Sequence, residues 1–149
     1  MKLTRKACYG LWALVYIACQ PSGRYVRVEE IVRTRQISEK YIAKLLGELV
    51  RGGLLTSRRG QEGGFRLVRQ AAEVTLLEII RVLEGPLAIN KCLGVHPTCQ
   101  WTETCPMRET WQELQDTIEM RLSSVSLATL ANEELVTQGV PADPSPSPW

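Results

Sequence analysis

The alternation of apolar and polar residues predicts a series of helices interrupted once by a pair of short strands. The predicted helices cover residues 4–19, 28–34, 38–51, 75–84 and 106–125. Three of these helices begin at Thr4, Ser38 and Thr75. A side-chain hydroxyl at the start of a helix can cap exposed backbone N–H groups. Gly52 and Gly85 follow two of them as stop signals. A further short helix is expected to start at Ser126 or Thr129.

Two short apolar runs, at residues 54–57 and 65–68, predict strands. A connection that contains three glycines, residues 58–64, joins them and is typical of a β-hairpin. The order helix, short helix, turn, capped helix and hairpin is that of a winged helix-turn-helix domain. We therefore predict a mainly α fold, with the winged helix-turn-helix over residues 1–84.

The last long helix, which begins near Pro106, carries its apolar residues in one narrow stripe. From Met107 to Val125 they are spaced four, three, four, four and three residues apart, which is close to a heptad repeat. Such a stripe could pack on the chain's own core, but the winged lobe already ends at residue 84. We therefore predict a homodimer through a long C-terminal dimerisation helix, in a region at residues 106–135. The predicted interface residues are Met107, Trp111, Leu114, Ile118 and Leu122.

The net charge of +2 hides a strong asymmetry. Residues 1–69 carry 14 Lys and Arg against 5 Asp and Glu, a net of +9, and residues 70–149 carry 4 against 11, a net of −7. A basic front half favours a polyanionic partner, with double-stranded DNA first, although a merely solvated basic surface is the alternative. The predicted DNA-binding residues are Lys2, Thr4, Ser38, Lys40, Tyr41, Lys44, Arg58, Arg59 and Arg66.

Three of the five cysteines, Cys92, Cys99 and Cys105, lie in a long loop predicted at residues 85–105. An iron-sulfur cluster requires several thiolates that converge from a flexible backbone, whereas structural zinc favours more closely spaced cysteine pairs. His96 could complete a zinc site, and three inert buried cysteines are the other alternative. Cys19, near the end of the first helix, is predicted to belong to the core.

Composition also predicts the cellular compartment of the protein and the disorder of its C-terminal tail. The odd number of cysteines, without a recognisable secretory signal, favours the reducing cytoplasm. No run of 18 apolar residues occurs, so we expect no membrane-spanning helix. Residues 136–149 are rich in proline and serine and are predicted to form a disordered tail.

Several stretches of the chain resemble the Rrf2 family of bacterial transcription regulators. They are the opening four residues, residues 37–42, residues 52–55, the wing at 59–65 and the three-cysteine loop. The resemblance covers about residues 1–135. It implies a homodimer with a long crossed dimerisation helix, and an iron-sulfur cluster of the 2Fe-2S or 4Fe-4S type that changes the affinity for a DNA operator.

The resemblance also bears on the fourth cluster ligand. One branch of the family has a histidine three residues after the third cysteine, where this chain has Arg108, which cannot bind iron. Members that sense nitric oxide use an acidic residue from the partner's first helix, and the matching position here is Cys8. A thiolate binds iron well, so Cys8 is a candidate ligand; a small residue facing a helix groove is the alternative.

We therefore expect a cytoplasmic, homodimeric DNA-binding regulator, a repressor or an activator, whose cluster responds to nitric oxide, oxidants or iron shortage. The alternative is a cluster-free family member that uses thiol redox chemistry or a partner protein as its signal. A thiol-dependent enzyme is disfavoured, because a cysteine nucleophile needs an adjacent base and His96 is the chain's one histidine.

Overall fold

The computed structural model describes residues 3–33 and 37–137. The helices are α1 (Arg5–Ala18), α2 (Val28–Arg33), α3 (Glu39–Arg51), α4 (Leu76–Glu84), α5 (Arg108–Ser123) and α6 (Leu127–Thr137), with a 3₁₀ turn at Ala71–Glu73. The strands are β1 (Leu55–Arg58) and β2 (Gly64–Leu67). The predicted mainly α fold, with a hairpin after the third helix, is confirmed. Among these residues, no helix is both long and apolar enough to cross a membrane.

Two of the three predicted helix caps are confirmed. The hydroxyl of Thr4 accepts the backbone N–H of Ala7 at 3.4 Å, and that of Thr75 accepts the N–H of Glu78 at 3.2 Å. Ser38 does occupy the N-cap position of α3, but its side chain makes no cap hydrogen bond there. The prediction that its hydroxyl caps α3 is therefore wrong, and its backbone carbonyl instead accepts the N–H of Ile42 at 3.1 Å in the first turn of the helix.

The C-terminal helices begin and end at other residues than predicted. α5 starts at Arg108, two residues after Pro106, and ends at Ser123. Ser126 begins α6, since its hydroxyl accepts the N–H of Thr129 at 3.1 Å. α6 continues to residue 137, and the rest of the predicted tail, residues 138–149, lies outside the described residues.

The hydrophobic core lies where α1, α3, α4 and α6 meet. Leu14, Leu46, Ile79 and Leu127 are fully buried members of it. α1 and α4 approach closely because Gly10 has no side chain: a Cβ there would lie 2.6 Å from a methyl carbon of Leu83. Because Leu127 is one of these buried residues, the core includes α6, the helix that follows α5.

Backbone hydrogen bonds join the end of α5 to the winged lobe. The N–H of Leu76, at the start of α4, donates to the carbonyl of Val125 at 2.9 Å, and the N–H of Leu127 donates to the carbonyl of Val74 at 2.8 Å. These bonds do not depend on side chains. The position of α5 is thus fixed relative to α4.

Replacing Leu127 tests whether α6 belongs to this core. Leu127→Ala should lower the free energy of unfolding by about 2–5 kcal/mol, because it leaves a cavity in a fully buried site. Urea denaturation at constant protein concentration measures the change. Leu3→Ala is the matched control, since Leu3 is 42% exposed and its truncation should cost less than about 0.5 kcal/mol. Equal effects of the two substitutions would contradict the packing of α6.

Candidate nucleic-acid interface and cysteine loop

The wing is a two-stranded hairpin with a third extended segment at its base. β1 and β2 pair antiparallel, with Arg58 opposite Gly64. Val26, in the connection between α1 and α2, exchanges two backbone hydrogen bonds with Phe65, each 2.8 Å long. The hairpin is therefore attached to the helix-turn-helix through its backbone.

Two wing glycines are required by close backbone packing. Gly64 has a φ of +141°, and a Cβ there would lie 2.4 Å from the carbonyl oxygen of Val26. A Cβ at Gly63 would lie 2.2 Å from the carbonyl oxygen of Arg58. The glycines that predict the hairpin from the sequence therefore allow the wing to close.

The three predicted wing arginines are exposed, and two of them lie against an aromatic ring. The guanidinium carbon of Arg58 lies 4.5 Å from the ring centroid of Tyr25, and that of Arg66 lies 4.9 Å from it. Arg58 also donates to the carbonyl of Glu62 at 2.6 Å. Arg59 lies at the tip of the hairpin. Tyr25 is not among the residues predicted from the sequence, because nothing in the local pattern relates it to residues more than 30 positions away.

The start of α3 presents its predicted residues to solvent. Ser38, Lys40, Tyr41 and Lys44 are all exposed, while the opposite face of the helix is buried in the core. The ring of Tyr41 stands edge-on to that of Tyr9, with centroids 6.1 Å apart. The exposed part of α3 is therefore held in place from α1 and from the core.

The first turn of α1 is bound to other helices of the lobe. The hydroxyl of Thr4 donates to the carboxylate of Glu84, so this predicted DNA-binding residue also joins α1 to α4. Lys6 forms an ion pair with Glu48 of α3 at 2.8 Å, and this hydrogen bond lowers the pKa of the Glu48 carboxyl. Lys2 lies outside the described residues.

The loop cysteines differ in burial and do not form a metal site in the single chain. Cys92 is buried, Cys99 and Cys105 are half-buried, and Cys8 is exposed on α1. Across residues 3–33 and 37–137, no three His, Cys, Asp or Glu side chains lie together in a way that could hold a metal ion. Three thiols suit an iron-sulfur cluster chemically, but their placement in one chain does not gather them.

The cysteine loop is attached to α5 through a buried amide. The structure describes every residue of α5, and the buried one is Gln115. Its side-chain oxygen accepts the N–H of Ile89 at 3.2 Å. Glu119, one turn further on, forms an ion pair with Arg81 of α4 at 2.8 Å. α5 therefore faces its own chain with polar residues.

Cys19 belongs to the packing between α1 and α6. Its thiol donates to the carbonyl oxygen of Ala131 at 3.6 Å. Burial, followed by the charge of Glu134, raises the pKa of this thiol. Cys19 is half-buried and packs against the core, as its predicted place near the end of α1 suggested.

The predicted dimer residues of α5 remain accessible in the single chain. Met107 is 48% exposed and Leu114 is 45% exposed. Trp111, Ile118 and Leu122 are half-buried. The stripe is therefore only partly covered within the single chain.

Comparison with known proteins identifies the family. A family model described as Rrf2, iron-dependent transcriptional regulator, matches residues 3–133. The chain belongs to the Rrf2 family. It is similar to the solved structure of CymR (YrzC), the global cysteine regulator of B. subtilis, with 30% identity, a TM-score of 0.73 and coverage of 89% of this chain and 98% of that one. It is also similar to T. potens IscR, with 28% identity, a TM-score of 0.72 and coverage of 93% and 91%.

Membership confirms the family resemblance and makes this chain a transcriptional regulator. A third similar structure is Staphylococcus aureus CymR, with 28% identity, a TM-score of 0.68 and coverage of 86% of this chain and 96% of that one. The same protein has also been solved in an oxidized form, at 27% identity, a TM-score of 0.69 and coverage of 88% and 96%. The Rrf2 relatives thus include both a cysteine regulator and IscR.

Replacing Ile118 tests the α5 stripe of this Rrf2 regulator as a dimer interface. Ile118→Asp would bury an unpaired charge in the interface, which costs on the order of several kcal/mol of association free energy. Sedimentation at micromolar concentration should then show a monomer. Thr117→Asp, at the exposed neighbouring position, should remain dimeric. An Ile118→Asp protein that is still a dimer would mean that the interface lies elsewhere.

Proposed function

We propose that this Rrf2 regulator binds a palindromic DNA operator as a homodimer. The observation that carries the proposal is that the start of α3 and the wing both present exposed basic residues. A helix presented in this way can enter the major groove, and a basic hairpin beside it can lie along the neighbouring groove or backbone. Two such surfaces related by a two-fold axis match two half-sites of a palindrome.

The residues of this surface divide into two roles. Ser38, Lys40, Tyr41 and Lys44 lie where the N-terminal part of α3 would meet base edges, so they would set sequence preference. The three wing arginines would neutralise phosphates or enter the minor groove, which adds affinity for any sequence. Thr4 would support the surface through its bond to Glu84.

Replacing Arg59 tests the wing. Arg59→Ala should weaken binding to all DNA sequences and should flatten the slope of log K against log salt by about one unit, because one phosphate contact is lost. Fluorescence anisotropy at several salt concentrations measures both quantities. Arg121→Ala removes the same charge from the exposed end of α5 and should leave the slope unchanged. An unchanged slope for Arg59→Ala would exclude this residue from the phosphate contacts.

For the signal, we propose that Cys92, Cys99 and Cys105 hold an iron-sulfur cluster of the 2Fe-2S or 4Fe-4S type. The support is the presence of three thiols on one loop, the iron-dependent description of the family and the similarity to IscR. When bound, such a cluster supplies a group that reacts with nitric oxide and oxidants. A ligand shifts the equilibrium between two states of a protein only if it binds those states with different affinity. The loop with a bound cluster must therefore differ in structure from the loop without one.

Cys8 of the partner subunit is our proposed fourth ligand. Its thiol is exposed on α1, so a second chain can reach it, whereas Arg108 follows the third cysteine at a position that offers no metal donor. Ligation across the interface would make loading depend on the dimer. It would also attach the loop of one chain to the helix-turn-helix of the other.

A second function without a cluster is favoured by two observations. The loop thiols are not gathered in the single chain, and the chain is similar to CymR, a cysteine regulator that has been solved in an oxidized form. In this alternative the accessible thiols react directly: a thiol is oxidised to a sulfenic acid or a disulfide while an oxidant such as peroxide is reduced. A partner protein that carries the signal is the other version of this alternative.

The visible spectrum of anaerobically purified protein separates the two functions. A cluster should give brown protein with absorption bands that change on addition of nitric oxide, and Cys92→Ala, Cys99→Ala or Cys105→Ala should abolish the bands. Cys8→Ala should leave the fold and dimer intact but make the cluster labile in air. Cys19→Ala is the matched control and should not alter the spectrum. Colourless protein whose DNA affinity responds to peroxide would support the thiol mechanism.

Mixed dimers test whether ligation crosses the interface. A dimer of one Cys8→Ala chain and one Cys92→Ala chain keeps one intact loop that faces an intact Cys8 on the partner. Ligation across the interface therefore predicts one air-stable cluster per mixed dimer. Ligation within each chain predicts no air-stable cluster, and an unaltered spectrum and air stability for Cys8→Ala would exclude this residue.

A further inference from the structure

Tyr25 lies in a basic cleft of about 460 Å³ between the wing and the connection from α1 to α2. Its walls carry four arginines and two glutamates: Arg24, Arg27, Arg58, Arg66, Glu30 and Glu62. The charged side chains therefore leave a positive excess of two around one half-buried ring. Arg58 and Arg66 are among the predicted DNA-binding residues, whereas Tyr25 is not.

The strand register places both guanidinium groups on the face that Tyr25 occupies. Side chains alternate between the two faces of a strand, and residues directly opposite each other share a face. Arg66 lies opposite Thr56, and Arg58 lies opposite Gly64, so the two arginines are diagonal neighbours on one face. Gly64 has no side chain and leaves that face open between them.

The same alternation explains why Tyr25 points toward the arginines. Val26 pairs with Phe65 and is fully buried, so it occupies the core face of this small sheet. Tyr25, the preceding residue of an extended segment, therefore belongs to the other face. The backbone hydrogen bonds of the adjacent Val26 thus hold Tyr25 on the same face of the sheet as the two arginines.

The ring brings two positive charges close together. The guanidinium carbons lie 4.5 Å and 4.9 Å from the same centroid, so they are at most 9.4 Å apart. The electron-rich face of the ring attracts a cation and lowers the number of conformations that each long side chain samples. The two cations repel each other, and an anion between them would remove that repulsion.

The two acidic groups of the cleft do not neutralise this pair. Glu30 forms an ion pair with Arg24 and accepts the backbone N–H of Arg27 at 3.0 Å. Glu62 is exposed and offers Arg58 its backbone carbonyl, which carries no net charge. The positive charge of Arg58 and Arg66 is therefore available to a ligand in solution.

We propose that Tyr25 is a positioning residue that holds Arg58 and Arg66 as one phosphate-binding pair for the DNA backbone. The proposal rests on the proposed DNA-binding function and deepens it. Arginine presents its donors in a rigid fork that matches phosphate oxygens, and a stacked guanidinium loses less freedom when it binds. Tyr25 itself need not touch the DNA.

Substitutions at Tyr25 test the proposal through operator binding at several salt concentrations. Tyr25→Leu should weaken binding about tenfold, because two arginine side chains must then be ordered on binding. Tyr25→Phe keeps the ring and should bind within about twofold of the native protein. The melting temperature and sedimentation of each variant establish that fold and dimer are intact.

Combined substitutions show whether the effect passes through the arginines. With Arg58→Ala and Arg66→Ala already present, Tyr25→Leu should cause no further loss of affinity. With Arg59→Ala present instead, Tyr25→Leu should still cause its full loss, because Arg59 lies at the tip and not on the ring. Purely structural damage would weaken binding equally in both backgrounds.

Two charge-conserving substitutions made together test the proposal if the Tyr25→Leu protein does not fold. Arg58→Lys with Arg66→Lys keeps both charges but removes the stacked, forked groups, so affinity should fall by a similar factor while the salt slope stays the same. Native affinity in this variant, or in Tyr25→Leu, would overturn the proposal and leave DNA binding standing. A native protein that binds no operator DNA would overturn both.

Discussion

The backbone pairing of Val26 with Phe65 is the contact on which the rest of the DNA-binding surface depends. It joins the wing to the helix-turn-helix without side chains, and it exists because Gly64 leaves room for the Val26 carbonyl. The pairing buries Val26, and so places Tyr25 on the outer face beside Arg58. The guanidinium carbons of Arg58 and Arg66 then lie 4.5 Å and 4.9 Å from the centre of the Tyr25 ring, a contact that their positions along the hairpin alone would not produce.

A second set of contacts relates the cysteine loop to the same lobe. Gln115 binds the loop backbone at Ile89, and the carbonyl of Val125 accepts the N–H of Leu76 beyond the far end of α5. α5 thus contacts the loop through Gln115 and α4 through Glu119, and the segment that follows α5 is bonded to the start of α4. A loop that exists in two arrangements would bias α5, and with it the spacing of two DNA-binding lobes in a dimer.

Local patterns predicted most of the fold, because helix periodicity, the Thr4 and Thr75 caps and the glycine-containing hairpin are properties of neighbouring residues. Contacts between distant residues were not predictable in this way. Tyr25 approaches Arg58 only after the Val26 pairing has formed, and Ser38 fits the cap pattern although its hydroxyl makes no cap bond. The predicted wing arginines are exposed, and their contact with DNA stays a prediction, whereas the ring that lies against two of them was not predictable from the sequence.

The burial of the cysteines distinguishes the two proposed signals physically. Oxidation to a sulfenic acid does not require the cysteines to converge, and Cys8, Cys99 and Cys105 are already exposed or half-buried. A cluster also requires Cys92, which is buried, to meet the other two thiols. That movement must act on the segment that Gln115 binds, because Ile89 lies three residues before Cys92. Cluster binding would therefore be coupled to α5 by the chain itself, whereas oxidation of the accessible thiols would reach α5 only if the product strained the same segment.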